Sequence, residues 1–483
     1  MTADDARRKR RVLGGMILVL ALVAVRLPLL DGPITGWHGW RQADTTAIAR
    51  NFVEEDMNIL HPRVDWRGAT SGAVECEFPL VSWVIAGAWR LGVDENVGAR
   101  LPAMLASVLG TFGVLVLLRG WGLERVGWIA ACAYGFSPFV VYFGRTPTPE
   151  TAMLAASVWG LAFADRWAVT GRVRWLVGAA SCLALAALLK LPALYMGLPL
   201  VVLLHERCGW SVFRSAAPWI AAAFLLVVVG AWYAHANAWG GSSGLTFGIW
   251  GAGTDKLLRV DLLGSWGFYN AVLMVSLVER VLTYAGAISA VIGLAVMPHG
   301  LPFRVVVSWF AALLVYLVVA SGGVFAHDYY LMPFVPPAAI AMGFAWNWGF
   351  RSDRRRAVRA FHGLLVVAAI VLSADRVIQF LRKEDPESAL LRVAAQVSEL
   401  SQPSDRIVVV HDGDPRLLYH AGRKGWHMPP DRLAGWMDRT GDHDARLIVI
   451  DTRSLSEDAF SAVAGDSGWR PVASVETYRI HAR

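Results

Sequence analysis

The sequence predicts an all-α polytopic membrane protein that carries a small C-terminal α/β domain. Three observations point there. Hydrophobic residues make up 55% of the 483 residues and charged residues only 17%, with 22 tryptophans, whereas a soluble chain carries about 25% charge. Apolar runs of roughly 20 residues, the length that crosses a bilayer, recur between Val12 and Phe380. Beyond Phe380 the pattern changes to short β-branched runs, Arg406–His411 (RIVVVH) and Arg446–Asp451 (RLIVID), that read as buried strands.

Taken in order, the first eleven residues hold five basic side chains and are expected in the cytoplasm. Val12–Leu30 then runs outward. It is too long for a cleaved signal peptide, and no small-residue cleavage site follows it. The segment 31–98 becomes a long external loop. Within it, Phe78–Leu91 is interrupted by Trp89 and Arg90 and reads as a helix lying in the membrane interface. Ten further apolar runs follow: Leu101–Leu118, Val126–Phe143, Thr151–Ala168, Trp175–Leu189, Leu191–Leu204, Ala216–Trp239, Val281–Met297, Val305–Ala320, Leu331–Phe350 and Phe361–Phe380. Eleven spans place every arginine-rich loop inside, including RSDRRRAVR with five arginines in nine residues. The chain thus divides into a transmembrane module, 1–380, and an extracytoplasmic domain, 381–483. In the latter, Thr477–His481 is a third strand, HDGDP turns after the first, and Leu417–His420, Asp431–Asp438 and Ser456–Val463 are helical. The net charge of +7 resides in short inter-helix loops and does not imply nucleic acid, and the four cysteines form no disulfide framework.

Polar residues unusual for a membrane protein gather on the outer face. Trp37 and Trp40 suit headgroup depth in the stretch Gly36–Phe52. Asp44 is expected to cap or open the helix that follows, whose dipole would keep it ionised. It reads either as a plain cap or as a base or metal ligand. Glu75 and Glu77 stand in VECEFPL, Arg145 and Glu150 bracket RTPTPE, Lys190 ends an apolar run in LLKLP, and His327 and Asp328 precede YYLMPFVPP. Each has a structural reading: snorkelling for Arg145 and Lys190, capping for Glu150, a carbonyl contact for His327. Ionisable groups near hydrocarbon cost free energy unless paired or used. Together they suit an anionic, membrane-anchored substrate such as a lipid phosphate, with a divalent cation beside it.

These residues resemble the GT-C superfamily. The resemblance rests on HGWRQADTTAIARNF, the E-F-P-L run, the R…P-E turn, Lys190 and HDYYLMPFVPP, and it extends from Met1 to about Phe380. It is closest to the branch of the bacterial aminoarabinose transferase and the protein O-mannosyltransferases. The resemblance implies an inverting, membrane-embedded glycosyltransferase that takes a sugar from a polyprenyl-phosphate donor. The acceptor, a glycan, lipid or protein, would be met at the outer face of the cytoplasmic (inner) membrane. It further implies Asp44 and Glu77 as catalytic carboxylates, and Arg145, Lys190, His327 and Tyr329 as donor-phosphate ligands. Glu150, Glu75 and Arg41 would serve the acceptor or a cation site, with Mg²⁺ or Mn²⁺ held by Asp44 and Glu150. The C-terminal domain is expected to fall outside the shared core, and its Tyr419–Trp426 stretch (YHAGRKGW) reads as either a glycan contact or a solvated basic turn. The rival reading, a transporter or flippase of a lipid-linked saccharide, requires charges at mid-helix and broken helices in matching halves. The charges here stand at the ends of apolar runs instead.

The topology is open to a direct test. A single cysteine at Asp94, in a background without the four native cysteines, is expected to label with a membrane-impermeant reagent from the outer face. Labelling only after lysis would mean that Phe78–Leu91 crosses the bilayer.

Overall fold

The computed structural model describes residues 3–248, 256–351, 353–439, 444–465 and 467–483. The chain forms two compact units. The first, the helical unit, comprises Met1–Leu30, Arg100–Ala234 and Trp250–Phe380. The second comprises Asp31–Ala99, His235–Ile249 and Leu381–Arg483. The long loop that sequence alone groups with the transmembrane helices therefore belongs with the C-terminal domain. Backbone pairing explains why. Gly68 N–H donates to the Gly425 carbonyl at 2.7 Å and Gly425 N–H to the Asp65 carbonyl at 3.0 Å, so the loop extends the edge of the C-terminal sheet region.

In the helical unit each of the predicted apolar runs is helical. Among the described residues, four helices are long and apolar enough to cross a membrane: Glu95–Gly120, Ala216–Gly241, Leu301–Val319 and Arg356–Leu381. A fifth joins them if Trp266–Leu282 and Tyr284–Val296, bent by 96°, count as one span. Ala3–Ala24 and Glu150–Thr170 are also long and unbroken, whereas several other runs are broken near prolines, which lack the N–H a continuing helix needs. Val126–Phe143 divides into Glu124–Gly135 and Pro138–Phe143. Leu191–Leu204 opens as a 3₁₀ turn, Leu191–Met196, before the helix Gly197–Cys208. The HDYYLMPF stretch is likewise 3₁₀, Asp328–Phe334, ahead of Val335–Gly349. These interruptions deliver the polar residues discussed below.

Close helix packing relies on small residues, as is usual where lipid supplies no hydrophobic drive between helices. A Cβ on Gly293 would strike the Ala341 carbonyl, and one on Gly343 would meet the Val126 carbonyl at 3.0 Å. The buried Arg26 donates to the carbonyls of Leu22 at 2.7 Å and of Gly135 and Val140 at 3.0 Å. It thereby satisfies backbone acceptors exposed by the break at Ser137.

The second unit is α/β. Helix Gly39–Glu54 leads to a short parallel pair, β1 (Val74–Glu75) with β2 (Leu245–Thr246). Helix Leu80–Arg90 replaces the predicted interfacial segment. Its 11 residues span about 16 Å, too little to cross a bilayer. It buries Val81, Ile85 and Ala86 while Trp83 and Val84 are exposed. The sheet contains β3 (Arg406–Val410), β4 (Lys424–Met428), β5 (Ala445–Asp451), β6 (Arg470–Val475) and β7 (Tyr478–Ala482), in the order β4-β3-β5-β7-β6. Strand β3 is parallel to β4 and β5, and β7 is antiparallel to β5 and β6. Alternate residues of β3 and β5 feed two cores: Ile407, Val409, Leu447 and Val449 on one face, Val408, Val410, Ile448 and Ile450 on the other.

Three of the five strands match the predicted ones. The Lys424–Trp426 part of YHAGRKGW, read as a basic turn or a glycan contact, is instead the start of edge strand β4. Gly425, at φ +154°, lies so close to the Ile407 carbonyl that a Cβ would collide with it. A glycine demanded by that contact removes the apolar alternation by which a strand is recognised. Strand β6 was missed because it is an exposed edge that opens on Arg470 and Pro471.

Candidate functional site

Each unit holds a group of buried polar side chains, and the predicted site residues are divided between the two. In the second unit the group is built around Asp44. The helix that carries it starts at Gly39, after His38 in the left-handed region at φ 52°. Asp44 therefore sits in the second turn, not at the N-cap, and no helix terminus favours its charge. Composition alone cannot reveal a non-glycine residue at positive φ, and the expected cap is displaced for that reason.

Asp44 is 3% exposed. Trp66 Nε1–H donates to its Oδ1 at 2.8 Å. Burial pushes the carboxyl up to about 7; the Arg41 charge and the Trp66 hydrogen bond pull against that rise, while Asp414 and Asp65 add to it. An acid that exchanges its proton near neutrality is matched to general-base work. One turn before it, Arg41 donates to Glu77 Oε2 at 2.8 Å and lies over the Phe247 ring, 4.9 Å from its centroid. Of the two glutamates, Glu77 is thus joined to the Asp44 helix. Glu75 accepts from the Thr246 hydroxyl and ties β1 to β2. Between them Cys76 is buried, which holds its thiol well above the ordinary range.

Several neighbours of Asp44 were not singled out from sequence. Asp65 accepts from Arg50 Nη2 at 2.5 Å and from Asn51 Nδ2 at 3.0 Å. Asp414, from the HDGDP turn, accepts from Arg416 Nε at 2.7 Å. Trp66 meets His427 and Phe247 edge-on at 5.5 and 5.7 Å. Burial pushes His427 down to about 4, so it faces Trp66 as a neutral ring. The available signals were a lone tryptophan in the polar stretch WRGATSG and an acidic turn at the carboxyl end of a parallel strand.

In the helical unit the group forms where helices break. Arg145 follows the helix Pro138–Phe143, is fully buried, and donates to the Leu29 carbonyl at 2.6 Å. Glu150 opens the helix Glu150–Thr170 just after Pro149, where the dipole favours an anion. Lys190 lies at the junction between the helix Val173–Leu189 and the 3₁₀ turn. Its Nζ stands 3.2 Å from Glu150 Oε1 and 5.8 and 5.3 Å from the ring centroids of Tyr329 and Tyr330. His327 stacks on Tyr329 at 5.4 Å, and Phe143, two residues before Arg145, is 5.8 Å from the same ring. The structure therefore brings Glu150, Lys190, His327 and Tyr329 together, while Arg145 is joined to Leu29. Lys190 is paired rather than snorkelling. Arg280, whose Nη1 is 3.2 Å from Asp328 Oδ2, was missed, although it is the one basic residue in the π-helix Asn270–Leu282.

A divalent cation on Asp44 and Glu150 is an expectation of the sequence resemblance. Glu150 is engaged by Lys190 and Asp44 by Trp66. Among the described residues no three His, Cys, Asp or Glu side chains are grouped to hold a metal ion.

Residues 77–235 match a family described as dolichyl-phosphate-mannose-protein mannosyltransferase. No curated protein matches the sequence. The apo structure of ArnT from Cupriavidus metallidurans superposes with a TM-score of 0.66 at 16% identity, covering 99% of this chain and 98% of that one. The same protein bound to undecaprenyl phosphate gives 0.65 at 14% identity, covering 98% and 97%. The chain has the GT-C fold. Archaeal oligosaccharyltransferase AglB from Archaeoglobus fulgidus, solved with an inhibitory peptide and a dolichol-phosphate, is similar with a TM-score of 0.57 at 12% identity, over 95% of this chain and 71% of that one. The likeness to ArnT runs through the last hundred residues, so the C-terminal α/β domain is part of the shared GT-C fold, contrary to the sequence expectation.

The elevated Asp44 proton affinity has a consequence for stability. The folded-state value, about 7, exceeds the ordinary 3.8, so folding with an ionised Asp44 carries a penalty. That penalty is absent below about pH 4, grows as pH rises, and is complete above about pH 7. Asp44→Asn, which carries no charge, should melt at least roughly 2 °C higher than the parent at pH 8, with the gain vanishing toward pH 4. A difference that does not vary with pH would contradict the assignment.

Proposed function

We propose that this chain is an inverting glycosyltransferase of the inner membrane that moves a sugar from a polyprenyl-phosphate donor to an acceptor hydroxyl at the outer face. The N-terminus is cytoplasmic and the C-terminal domain extracytoplasmic. The observation that carries the reading is the buried Lys190–Glu150 pair beneath Tyr329 and Tyr330 in a chain of GT-C fold. Two similar structures hold polyprenyl phosphates, which supports the class of donor.

In the proposed reaction the acceptor oxygen bonds to the anomeric carbon as that carbon's bond to the phosphate oxygen breaks, the electron pair leaving with the lipid phosphate. The acceptor proton passes to the Asp44 carboxylate. Displacement from the face opposite the leaving group inverts the anomeric centre. Arg145, Lys190 and His327 stabilise the departing phosphate, whose negative charge grows in the transition state. Glu150 holds Lys190 in place beforehand, which offsets part of the cost of a buried cation. Arg41 and Glu77 position the acceptor through their mutual ion pair. Glycan, lipid and protein acceptors all present the required hydroxyl.

The donor half of the proposal is tested with undecaprenyl phosphate binding to purified protein in detergent. Lys190→Met and Arg145→Gln should each weaken binding roughly tenfold or more, since charge-assisted hydrogen bonds to phosphate are lost. Arg145→Lys should restore it only in part, because an ammonium cannot reproduce a guanidinium's fork. Asp44→Asn should bind as the parent does. Unchanged affinity in both neutral variants would sink the phosphate assignment.

A further inference from the structure

We infer that Trp66 is a positioning residue for Asp44: its indole N–H fixes one carboxylate oxygen and leaves the other to exchange the proton. The inference rests on the catalytic reading of Asp44 and extends it to a residue that no motif marks. Trp66 Nε1 is 2.8 Å from Oδ1. The bond engages Oδ1 and not Oδ2. An indole offers one donor and no acceptor, so it can hold an oxygen of a carboxylate but cannot compete for the acceptor's proton.

Trp66 is itself held in place. Phe247 and His427 meet it edge-on. On either side of it, the backbone of Asp65 and Gly68 is pinned to Gly425 of β4. Two residues on, Gly68, at φ +56°, lies against Trp426, whose Nε1 would be 2.6 Å from a Cβ at that position. The indole is therefore clamped from the C-terminal sheet while its N–H faces the first helix of the unit. This gives the α/β domain a share in the chemistry without supplying a reacting group.

The other charges around Asp44 have their own partners. On its own helix Arg41 is paired with Glu77 and Arg50 with Asp65. From the segment entering the helix Arg416–Ala421, Asp414 is paired with Arg416, which lies across Gly39, and His420 bonds the Ile34 carbonyl at 3.0 Å. From the packed helix Leu80–Arg90, Arg90 reaches the Val53 carbonyl at 3.3 Å, at the far end. Trp66 is a neutral group bonded directly to the carboxylate, and its N–H favours the ionised form.

The test reads Asp44 protonation without any substrate. Intact purified protein in detergent with EDTA is treated with dicyclohexylcarbodiimide, which reacts with protonated carboxyls, across a pH series. Modification of the Asp44 peptide is followed by mass spectrometry. Trp66→Phe keeps a ring in the clamp and removes the N–H, and it should move the labelling midpoint upward by about one pH unit, the usual scale of one such hydrogen bond. Trp239→Phe removes a comparable bond, to the Pro62 carbonyl at 2.9 Å, and should leave the midpoint where it is. An unmoved midpoint in a folded Trp66→Phe variant overturns the inference, as does an equal shift in Trp239→Phe. Either failure is separable from failure of the glycosyltransferase reading, which would show as undiminished transfer by Asp44→Asn.

Discussion

A carboxylate buried in the second turn of a helix, away from either terminus, is unstable unless something fixes the charge it carries. Asp44 is in that position, and much of the second unit can be understood as the arrangement around it. Trp66 supplies one hydrogen bond, Arg41 supplies charge, and Asp65 and Asp414 raise its proton affinity from a distance. Burial outweighs the stabilising contacts, and the group is left near neutrality. A fully exposed aspartate would be too weak a base, and a buried one without Trp66 and Arg41 would hold its proton too tightly.

The same balance governs the helical unit, with the sign of the charge reversed. Lys190 could not remain buried as a cation without Glu150, and Glu150 gains from the helix N-terminus on which it stands. The pair sits where two helices stop, because a proline follows Lys190 and another precedes Glu150. Broken helices leave backbone groups that need partners. Arg26 and Arg145 show how those partners are found, each donating to carbonyls near a helix end. The prolines that shorten these helices therefore also help to place the unit's buried polar cluster.

Much of this was legible in the sequence, for identifiable reasons. Apolar runs of bilayer length mark the helices, and prolines beside Lys190, Glu150 and Tyr329 mark the breaks that carry site residues. Strands β3, β5 and β7 declared themselves by β-branched runs. What stayed hidden depends on contacts distant in sequence. His38 at positive φ shifts the helix start and removes Asp44 from the cap position. Trp66 lies 22 residues from Asp44, with nothing in its neighbourhood to suggest the bond. Strand β4 was obscured because Gly425 serves a close backbone approach rather than an apolar face. The grouping of 31–98 with the last hundred residues rests on backbone hydrogen bonds that no periodicity encodes.

The central claim is that Asp44 acts on the acceptor, and turnover of Asp44→Asn measures it most directly. Membranes containing the parent or the variant would be supplied with polyprenyl-phosphate sugar and the transferred sugar counted. Asn keeps the shape and the bond from Trp66 but cannot take a proton. Transfer should fall by roughly a hundredfold or more, the scale of a general base, while undecaprenyl phosphate still binds. A folded variant that transfers sugar at the parent rate would contradict the account and leave Asp44 a buried structural residue.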